Sequence, residues 1–273
     1  MQASLPMYDW PEVQMANDTL WKEIATCLPA TTGAQQLALE HDPALAFNWT
    51  DPDLVFSQTC GYPLMQRLLD SVTVLGVPEY QVEGCAGVTH SSMIVVRRDD
   101  SRRSLAEFQH GCSAINSADS QSGCLALKET LALQQLPAPF FSATVVSGAH
   151  RRSLQLVAAG TADICAIDPV SWSLACHCDA ETVAQLRILD AGPQTPGLPF
   201  ITAAATDAET VDAMQTAMAT LFNGTSPAAE SALCGAGMPI IRFHKMTIDD
   251  FQPIMDFAKM AVTAGHGVLA PAA

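Results

Sequence analysis

Three short segments of the sequence combine hydroxyl or amide side chains with a glycine or proline, directly before an expected helix. They span residues 57–63, 116–123 and 147–153. The first N–H groups of a helix have no partner inside the helix and carry a partial positive charge. An oxyanion placed there receives charge-assisted hydrogen bonds without a lysine. Serine and threonine add hydroxyl donors, and Gly123 allows the backbone to come close.

The same residues also have an ordinary structural use, because Ser, Thr and Asn are common helix caps. Capping explains any one of the three segments well. All three, however, follow expected strands, and the strand ends of an open α/β sheet face one crevice. Together the segments therefore predict a pocket for a small oxyanion.

Two single residues sharpen this hypothesis, and each has an alternative. His150 is either a hydrogen-bond donor to the anion or a histidine that ordinary protein contacts satisfy. Asp168 ends the apolar run 164–167. It either caps the following helix or accepts a hydrogen bond from a protonated ligand oxygen, which would favour a hydrogen phosphate or phosphonate over a sulfate-like anion.

Motifs for metal or catalytic chemistry are weak by comparison. Cys176, His177 and Cys178 are adjacent, but no second Cys/His pair stands at the spacing of a zinc site. The sequence contains no GxSxG, HExxH or Walker motif. We therefore expect no metal, no cofactor and no catalytic residues.

The elements that must position these residues alternate between short β-like runs and helical patterns, which predicts an α/β fold. The predicted strands are Ala3–Met7, Leu54–Ser57, Val72–Val77, Met93–Arg97, Ser113–Asn116, Ile164–Ile167 and Ile201–Ala205. One helix is predicted after Pro11, and capping-box patterns at Thr206 and Thr247 predict two more.

Two segments have the composition of hinges. Residues 89–92 precede a predicted strand, and residues 192–199 are rich in glycine and proline. If the chain crosses between lobes at both places, residues 1–90 plus 196–273 form a discontinuous first lobe and residues 91–195 form the second.

Length and charge restrict the possible functions. The 273 residues are 49% hydrophobic, enough for two lobes with buried cores. The net charge of −15 argues against nucleic acid or an anionic membrane as a partner. A small anion is still possible, because it responds to the local field of its pocket.

The cellular compartment stays open. No signal peptide is visible at the start of the sequence, and no apolar stretch approaches the ~20 residues of a spanning helix. Nine cysteines, several inside apolar strings, favour reduced thiols. The protein is therefore periplasmic if a signal peptide has been removed, and otherwise cytoplasmic.

In order along the chain, these residues resemble the phosphate/phosphite/phosphonate-binding proteins of ABC importers. The resemblance runs through most of the chain. It is carried by residues 4–9, by Trp49 with residues 53–63, by the Ser-x-Ser-Gly turn at 120–123, by 147–150 and by 167–168. The sequence departs from the family at Thr89-His90 and at Cys124, where the family often has aromatic residues.

This resemblance implies a two-lobed type II periplasmic-binding fold with a central cleft and two hinge crossovers. The protein would be a monomer without enzymatic activity that closes on its ligand and serves an ABC permease. The implied ligand-binding residues are Tyr8, Gln58, Thr59, Ser91, Ser120, Gln121, Ser122, His150 and Asp168.

Two other functions are compatible with the same residues. The chain could be a cytoplasmic ligand sensor that docks to a signalling partner. It could also be a metabolite enzyme on the same fold, with His150 and Asp168 as an acid–base pair. The first would differ from an importer subunit in its location, and the second in forming a product.

Overall fold

The computed structural model describes residues 1–224 and 227–269 of the chain. The chain folds into two compact units. The first unit comprises Met1–Val88 and Pro196–Gln252; the second comprises Thr89–Thr195 and the residues from Pro253 onwards. The chain passes from the first unit to the second at 88/89, returns at 195/196, and enters the second unit again at 252/253. We call the first two positions the strand crossings; the sequence predicts them at 90/91 and 195/196. The residues from Pro253 onwards, which the sequence places in the first lobe, belong to the second unit.

The first unit is built on a five-stranded sheet in the order β1–β2–β10–β3–β11. Strands β1 and β2 are parallel, and β10 is antiparallel to both β2 and β3. The strands are β1 (Gln2–Ala3), β2 (Leu54–Gln58), β3 (Val72–Tyr80), β10 (Phe200–Ala203) and β11 (Ile240–Lys245); the short β4 (Cys85–Ala86) precedes the first crossing.

Helices of the first unit cover this sheet with aromatic side chains. Phe200 in β10 stacks on both Phe222 and Phe243, and Trp21 packs against Phe56 of β2. The helices are α1 (Gln14–Cys27), α2 (Pro43–Ala46), α3 (Gly61–Pro63), α8 (Ala208–Gly224) and α9 (Pro227–Gly235). Helix α1 follows a 3₁₀ turn at Pro11–Val13 and buries its apolar face, as its spacing predicts.

The second unit has its own sheet, in the order β5–β8–β6–β7, with β9 paired to β5. Strands β6, β7 and β8 are mutually parallel, and β5 is antiparallel to β8. The strands are β5 (Thr89–Arg97), β6 (Cys112–Ile115), β7 (Ala143–Val146), β8 (Ile164–Ile167) and β9 (Leu186–Pro196). The carboxyl ends of the three parallel strands therefore meet at one edge, where the predicted segments 116–123 and 147–153 begin.

Between residues 89 and 195, the second unit contains the helices α4 (Ala126–Leu133), α5 (His150–Ala158), α6 (Pro169–Cys178) and α7 (Ala180–Ala184). A π-helical turn at Gln121–Leu125 leads directly into α4. Leu127 and Leu131 of α4 pack with Phe108, Ile94 and other residues into an apolar core. This core holds α4 in place, and with it the turn that precedes it.

The last helix, α10 (Gln252–Thr263), lies in the second unit apart from its first residue, and the residues after it bond to other parts of that unit. Lys128 Nζ donates to the Gly267 carbonyl at 3.0 Å, and His266 Nε2 donates to the Leu136 carbonyl at 3.0 Å. The capping box that the sequence predicts at Thr247 is present.

Two sequence predictions need correction. The predicted strand Ala3–Met7 ends at Ala3, because Pro6 has no N–H for a sheet ladder and opens a 3₁₀ turn. The helix predicted to open at Thr206 is capped by Asp207, whose Oδ1 accepts from Thr210 N at 2.9 Å. The predicted hinge segments 89–92 and 192–199 lie beside or across the unit boundaries at 88/89 and 195/196, and their residues 89–92 and 192–196 belong to strands β5 and β9.

Candidate functional site

The helix that begins after Ser120 forms the centre of the candidate site in the second unit. Ser120 is its N-cap, and the Ser120 hydroxyl accepts from Gly123 N at 3.0 Å. Gln121, Ser122 and Gly123 in the first turn are all buried. Capping thus accounts for Ser120, while the next two residues lie where a helix offers its first N–H groups.

Gly123 is required by the packing of this turn. A Cβ atom at this position would lie 1.9 Å from Asn116 Oδ1 and 3.1 Å from His150 Cε1. Asn116 Oδ1 is itself buried, and among the described residues it has no hydrogen-bond partner. The absence of a side chain on Gly123 therefore lets Asn116 and His150 reach the beginning of the helix.

Ser122 and His150 join two of the three predicted segments. Ser122 Oγ lies 3.0 Å from His150 Nε2. His150 is the first residue of α5 and lies two residues after Gly148, whose φ of 87° is a conformation that glycine adopts easily. The segments 116–123 and 147–153 thus meet through side chains, as the strand-end argument predicts.

The imidazole of His150 is neutral at pH 7. Burial lowers the pKa of His150 to about 4; the charge of Asp168 opposes this shift and that of His90 adds to it. A neutral imidazole has one N–H donor and one acceptor nitrogen. His150 Nδ1 is buried and has no partner within the part of the chain that the structure describes. It can accept from, or donate to, a bound group.

Ser147, in contrast, has a structural role. Its hydroxyl bonds to Ser153 Oγ at 2.7 Å and to the Ile115 carbonyl at 3.0 Å. These contacts fix the start of α5. For Ser147 the capping interpretation of the sequence is therefore sufficient.

Asp168 also caps a helix, and it has a second contact. Its Oδ1 accepts from Ser171 N at 3.0 Å at the start of α6, and its Oδ2 lies 3.3 Å from His90 Nδ1. Burial would raise the pKa of Asp168, but the hydrogen bond and charge of His90 lower it. Asp168 is therefore a buried carboxylate held by His90 and by a helix N-terminus.

His90, Gln121 and Thr195 form a buried polar group beside this carboxylate. Gln121 Nε2 donates to Thr195 Oγ1 at 2.6 Å and lies 3.5 Å from His90 Nε2. His90 and Thr195 were not predicted as site residues. The sequence held one signal for His90, its replacement of an aromatic residue in the family pattern. The predicted Ser91 is the next residue in β5, so its side chain projects from the opposite face of the strand to that of His90.

The predicted residues of the first unit lie together as well. Gln58 Nε2 lies 3.4 Å from the hydroxyl of Tyr80 and donates to the Leu198 carbonyl at 3.2 Å, while the Tyr8 ring contacts Tyr80 edge-on. Thr59 is buried, and its hydroxyl donates to the Cys60 carbonyl at 3.4 Å.

Tyr8 and Gln58 line a cavity of about 10 Å³, together with Asn17, Tyr80 and four apolar side chains. This volume holds about one water molecule. This cavity of the first unit therefore has room for a water molecule but not for a larger ligand.

Metal and membrane features are absent from the described residues. No group of three or more His, Cys, Asp or Glu side chains there is placed to hold a metal ion. No described helix is both long enough and apolar enough to cross a membrane. His177 Nδ1 bonds to the Ser173 carbonyl within α6, and all nine cysteines are thiols rather than disulfides.

Comparison with protein families decides the assignment. Residues 46–251 match the family described as the phosphonate-binding, periplasmic substrate-binding proteins of ABC transporters. The chain belongs to this family. Its members bind a solute and work with an ABC permease; they are not enzymes. No curated protein sequence is detectably similar to the chain.

Solved structures show the same fold at low sequence identity. PhnD1 from Prochlorococcus marinus, in complex with methylphosphonate, is 15% identical with a TM-score of 0.74, over 95% of this chain and 97% of that one. The binding protein of a phosphonate transporter from Pseudomonas aeruginosa is 14% identical with a TM-score of 0.72, over 96% and 87%. A Xanthomonas citri protein bound to chloride is 14% identical with a TM-score of 0.67, over 98% and 99%. The predicted type II periplasmic-binding fold is thus confirmed.

Proposed function

We propose that the chain binds the phosphonate group of a small phosphonate at the start of the helix after Ser120, and delivers it to an ABC permease. The observation that carries this proposal is the contact of Ser122 with His150, since it joins two helix N-termini in one cluster. Phosphite and phosphate have the same tetrahedral oxygens and are the alternative ligands.

Uncharged groups provide the attraction in this proposal. The helices that begin at Gln121 and His150 each direct their first N–H groups and a partial positive charge towards the cluster. Arg151, the nearest cation in the sequence, donates from Nε to Asp179 Oδ2 at 3.2 Å. A local field from backbone dipoles explains how a protein with a net charge of −15 attracts an anion.

The protonation state of the ligand follows from the unsatisfied acceptors. If His150 donates from Nε2 to Ser122, its Nδ1 is an acceptor, and Asn116 Oδ1 is a second acceptor nearby. A ligand that keeps one P–OH group can satisfy such an atom, whereas sulfate has no proton to donate. We therefore propose the monoanion of a phosphonate as the bound form.

The proposal also includes ligand contacts from five further residues, which the resemblance to the family implies. Tyr8, Gln58 and Thr59 would add groups from the first unit, and Ser91 and Asp168 further groups from the second. The resemblance to the family supports these five assignments.

Calorimetric titration tests the proposal. The wild-type protein is titrated at pH 7 with methylphosphonate, phosphite, phosphate and sulfate. We expect saturable heat for at least one phosphorus oxyanion and none for sulfate. Removal of one charge-assisted hydrogen bond in Ser122→Ala should weaken binding by about 1.5–3 kcal/mol, which is roughly a 10- to 150-fold higher Kd.

Ser142→Ala is the matched control for this substitution. Ser142 is an exposed residue of the same unit whose hydroxyl bonds to the Gly111 carbonyl. Its loss should leave the Kd unchanged. Absence of heat for all three phosphorus ligands, or equal Kd values for the two variants, would refute the proposed site.

A further inference from the structure

The side chain of Gln121 lies between the binding turn and both strand crossings. Gln121 is the first residue of the binding helix and is 1% exposed. Its amide nitrogen donates to Thr195 Oγ1 at 2.6 Å and lies 3.5 Å from His90 Nε2. Because an amide group has two N–H donors, the Gln121 amide can donate to both Thr195 and His90.

His90 and Thr195 each lie beside one of the two strand crossings. The chain enters the second unit at Thr89 and leaves it at Thr195. His90 therefore lies one residue inside the first crossing, and Thr195 is the last residue before the second. Both residues belong to strands that pair with each other, β5 and β9.

The other ring nitrogen of His90, Nδ1, also has a partner. Its Nδ1 lies 3.3 Å from Asp168 Oδ2, and Asp168 caps α6 through Ser171 N. His90, Gln121, Asp168 and Thr195 are all at most 5% exposed. Because these side chains are shielded from solvent, a donor or acceptor that loses its partner cannot form a hydrogen bond to water in its place. The four side chains must therefore rearrange together.

We propose that Gln121 is a positioning residue that couples ligand binding at its own helical turn to the conformation of both strand crossings. This inference rests on the proposed function, because it takes the turn after Ser120 as the ligand site. The backbone of Gln121 would face the anion, while its side chain holds the crossings. A ligand that orders this turn thereby orders residues 89–92 and 192–196.

The test uses Thr195→Val, which removes the hydroxyl but keeps the shape of a residue outside the anion-binding cluster. Hydrogen exchange followed by mass spectrometry measures protection of 89–92 and 192–196 with and without saturating methylphosphonate. The wild type should gain protection in both segments. Thr195→Val should lose most of this gain, with a Kd about tenfold higher, as expected for one lost buried hydrogen bond.

Two further variants separate positioning from general stability. Thr195→Ser restores the hydroxyl and should restore the protection. Thr144→Val removes a buried hydroxyl of the same unit, which bonds to Ser113 Oγ at 2.8 Å, and should lower the melting temperature without changing protection or the Kd. If Thr195→Val does not fold, Gln121→Met, which removes the amide at similar length, is measured in its place.

The possible outcomes are distinct. Absence of methylphosphonate binding by the wild-type protein would contradict the proposed function itself. Normal binding without added protection at the crossings would contradict the coupling alone. Equal behaviour of Thr195→Val and Thr144→Val would also overturn it.

Discussion

Both units bury hydroxyl and amide side chains at the ends of strands, but they differ in the ionisable groups beside them. Every buried histidine and carboxylate among the described residues lies in the second unit: His90, Glu129, Asp168 and His266. The buried polar residues described in the first unit are neutral, such as Ser57, Gln58 and Thr59.

The two units also differ in how completely their buried polar side chains are hydrogen-bonded. In the first unit, Ser57 bonds to Ser4 Oγ at 2.8 Å and to Trp49 Nε1 at 3.2 Å, and both contacts hold the fold together. In the second unit, Ser122 bonds to a neutral histidine whose other nitrogen has no partner among the described residues. A hydroxyl-rich turn is thus structural where its partners are complete, and it is a candidate site where they are not.

The comparison predicts that pH acts mainly through the second unit, with the largest effect at Glu129. Both Glu129 oxygens are buried without a hydrogen-bond partner in the described structure, and burial raises the pKa of Glu129 to about 8. This pKa is higher in the folded than in the unfolded chain, so the folded chain favours the protonated carboxyl of Glu129. The contribution of Glu129 to the free energy of unfolding is therefore complete below pH 4.5 and is lost as the pH rises through 8. Glu129→Gln should therefore raise the free energy of unfolding by roughly 3–5 kcal/mol at pH 9.

Urea denaturation at pH 4.5 and pH 9 measures this effect, with the exposed Glu181→Gln as the control. Glu129→Gln should resemble the wild type at the lower pH. A variant that is no more stable than the wild type at pH 9 would show that the carboxyl has a partner in solution.

His150 should produce the opposite pH dependence at acidic pH. Its pKa is about 4 in the folded protein and near 6.5 in the unfolded chain, so its contribution is complete above pH 6.5 and is lost as the pH falls through 4. His150→Asn lacks this contribution. Between pH 6.5 and pH 4, the change in its free energy of unfolding should therefore be more favourable than that of the wild type by about 3 kcal/mol.

The wild-type curve also contains the opposing change from Glu129, which the comparison of variants removes because Glu129 is the same in both. His177→Asn, at an exposed position of α6, is the control and should leave the curve unchanged. An acid-induced loss of stability that persists in full in His150→Asn would mean that this histidine is not held neutral by the fold.

Ser57 should produce the smallest effect, and it should be confined to stability. Ser57→Ala leaves Ser4 and Trp49 without their shared partner, which should lower the free energy of unfolding by about 1–2 kcal/mol. The Kd for methylphosphonate should be unchanged, in contrast with Ser122→Ala. A raised Kd in Ser57→Ala would remove the distinction between the two units.

Local sequence signals were sufficient for much of the fold. The apolar run Ile164–Ile167 is a strand with the predicted bounds, and the capping box at Thr247 is present. The pairing of β9 with β5 cannot be predicted from the glycine- and proline-rich segment 192–199, because it is a contact between distant segments that no local pattern reveals.

The candidate site was predictable where it depended on turns. Ser120, Ser122 and His150 could be found because hydroxyls, glycines and a histidine cluster before helices. His90 and Thr195 could not, since each is a lone polar residue whose partner comes from another part of the chain. Their role depends on packing and burial, which only the folded structure supplies.

A crystal structure of the protein with methylphosphonate is the most direct test of the central claim. The account predicts phosphonate oxygens within about 3 Å of Ser122 Oγ and of a nitrogen of His150, at the start of the helix after Ser120. A phosphonate bound without contact to either side chain would contradict it.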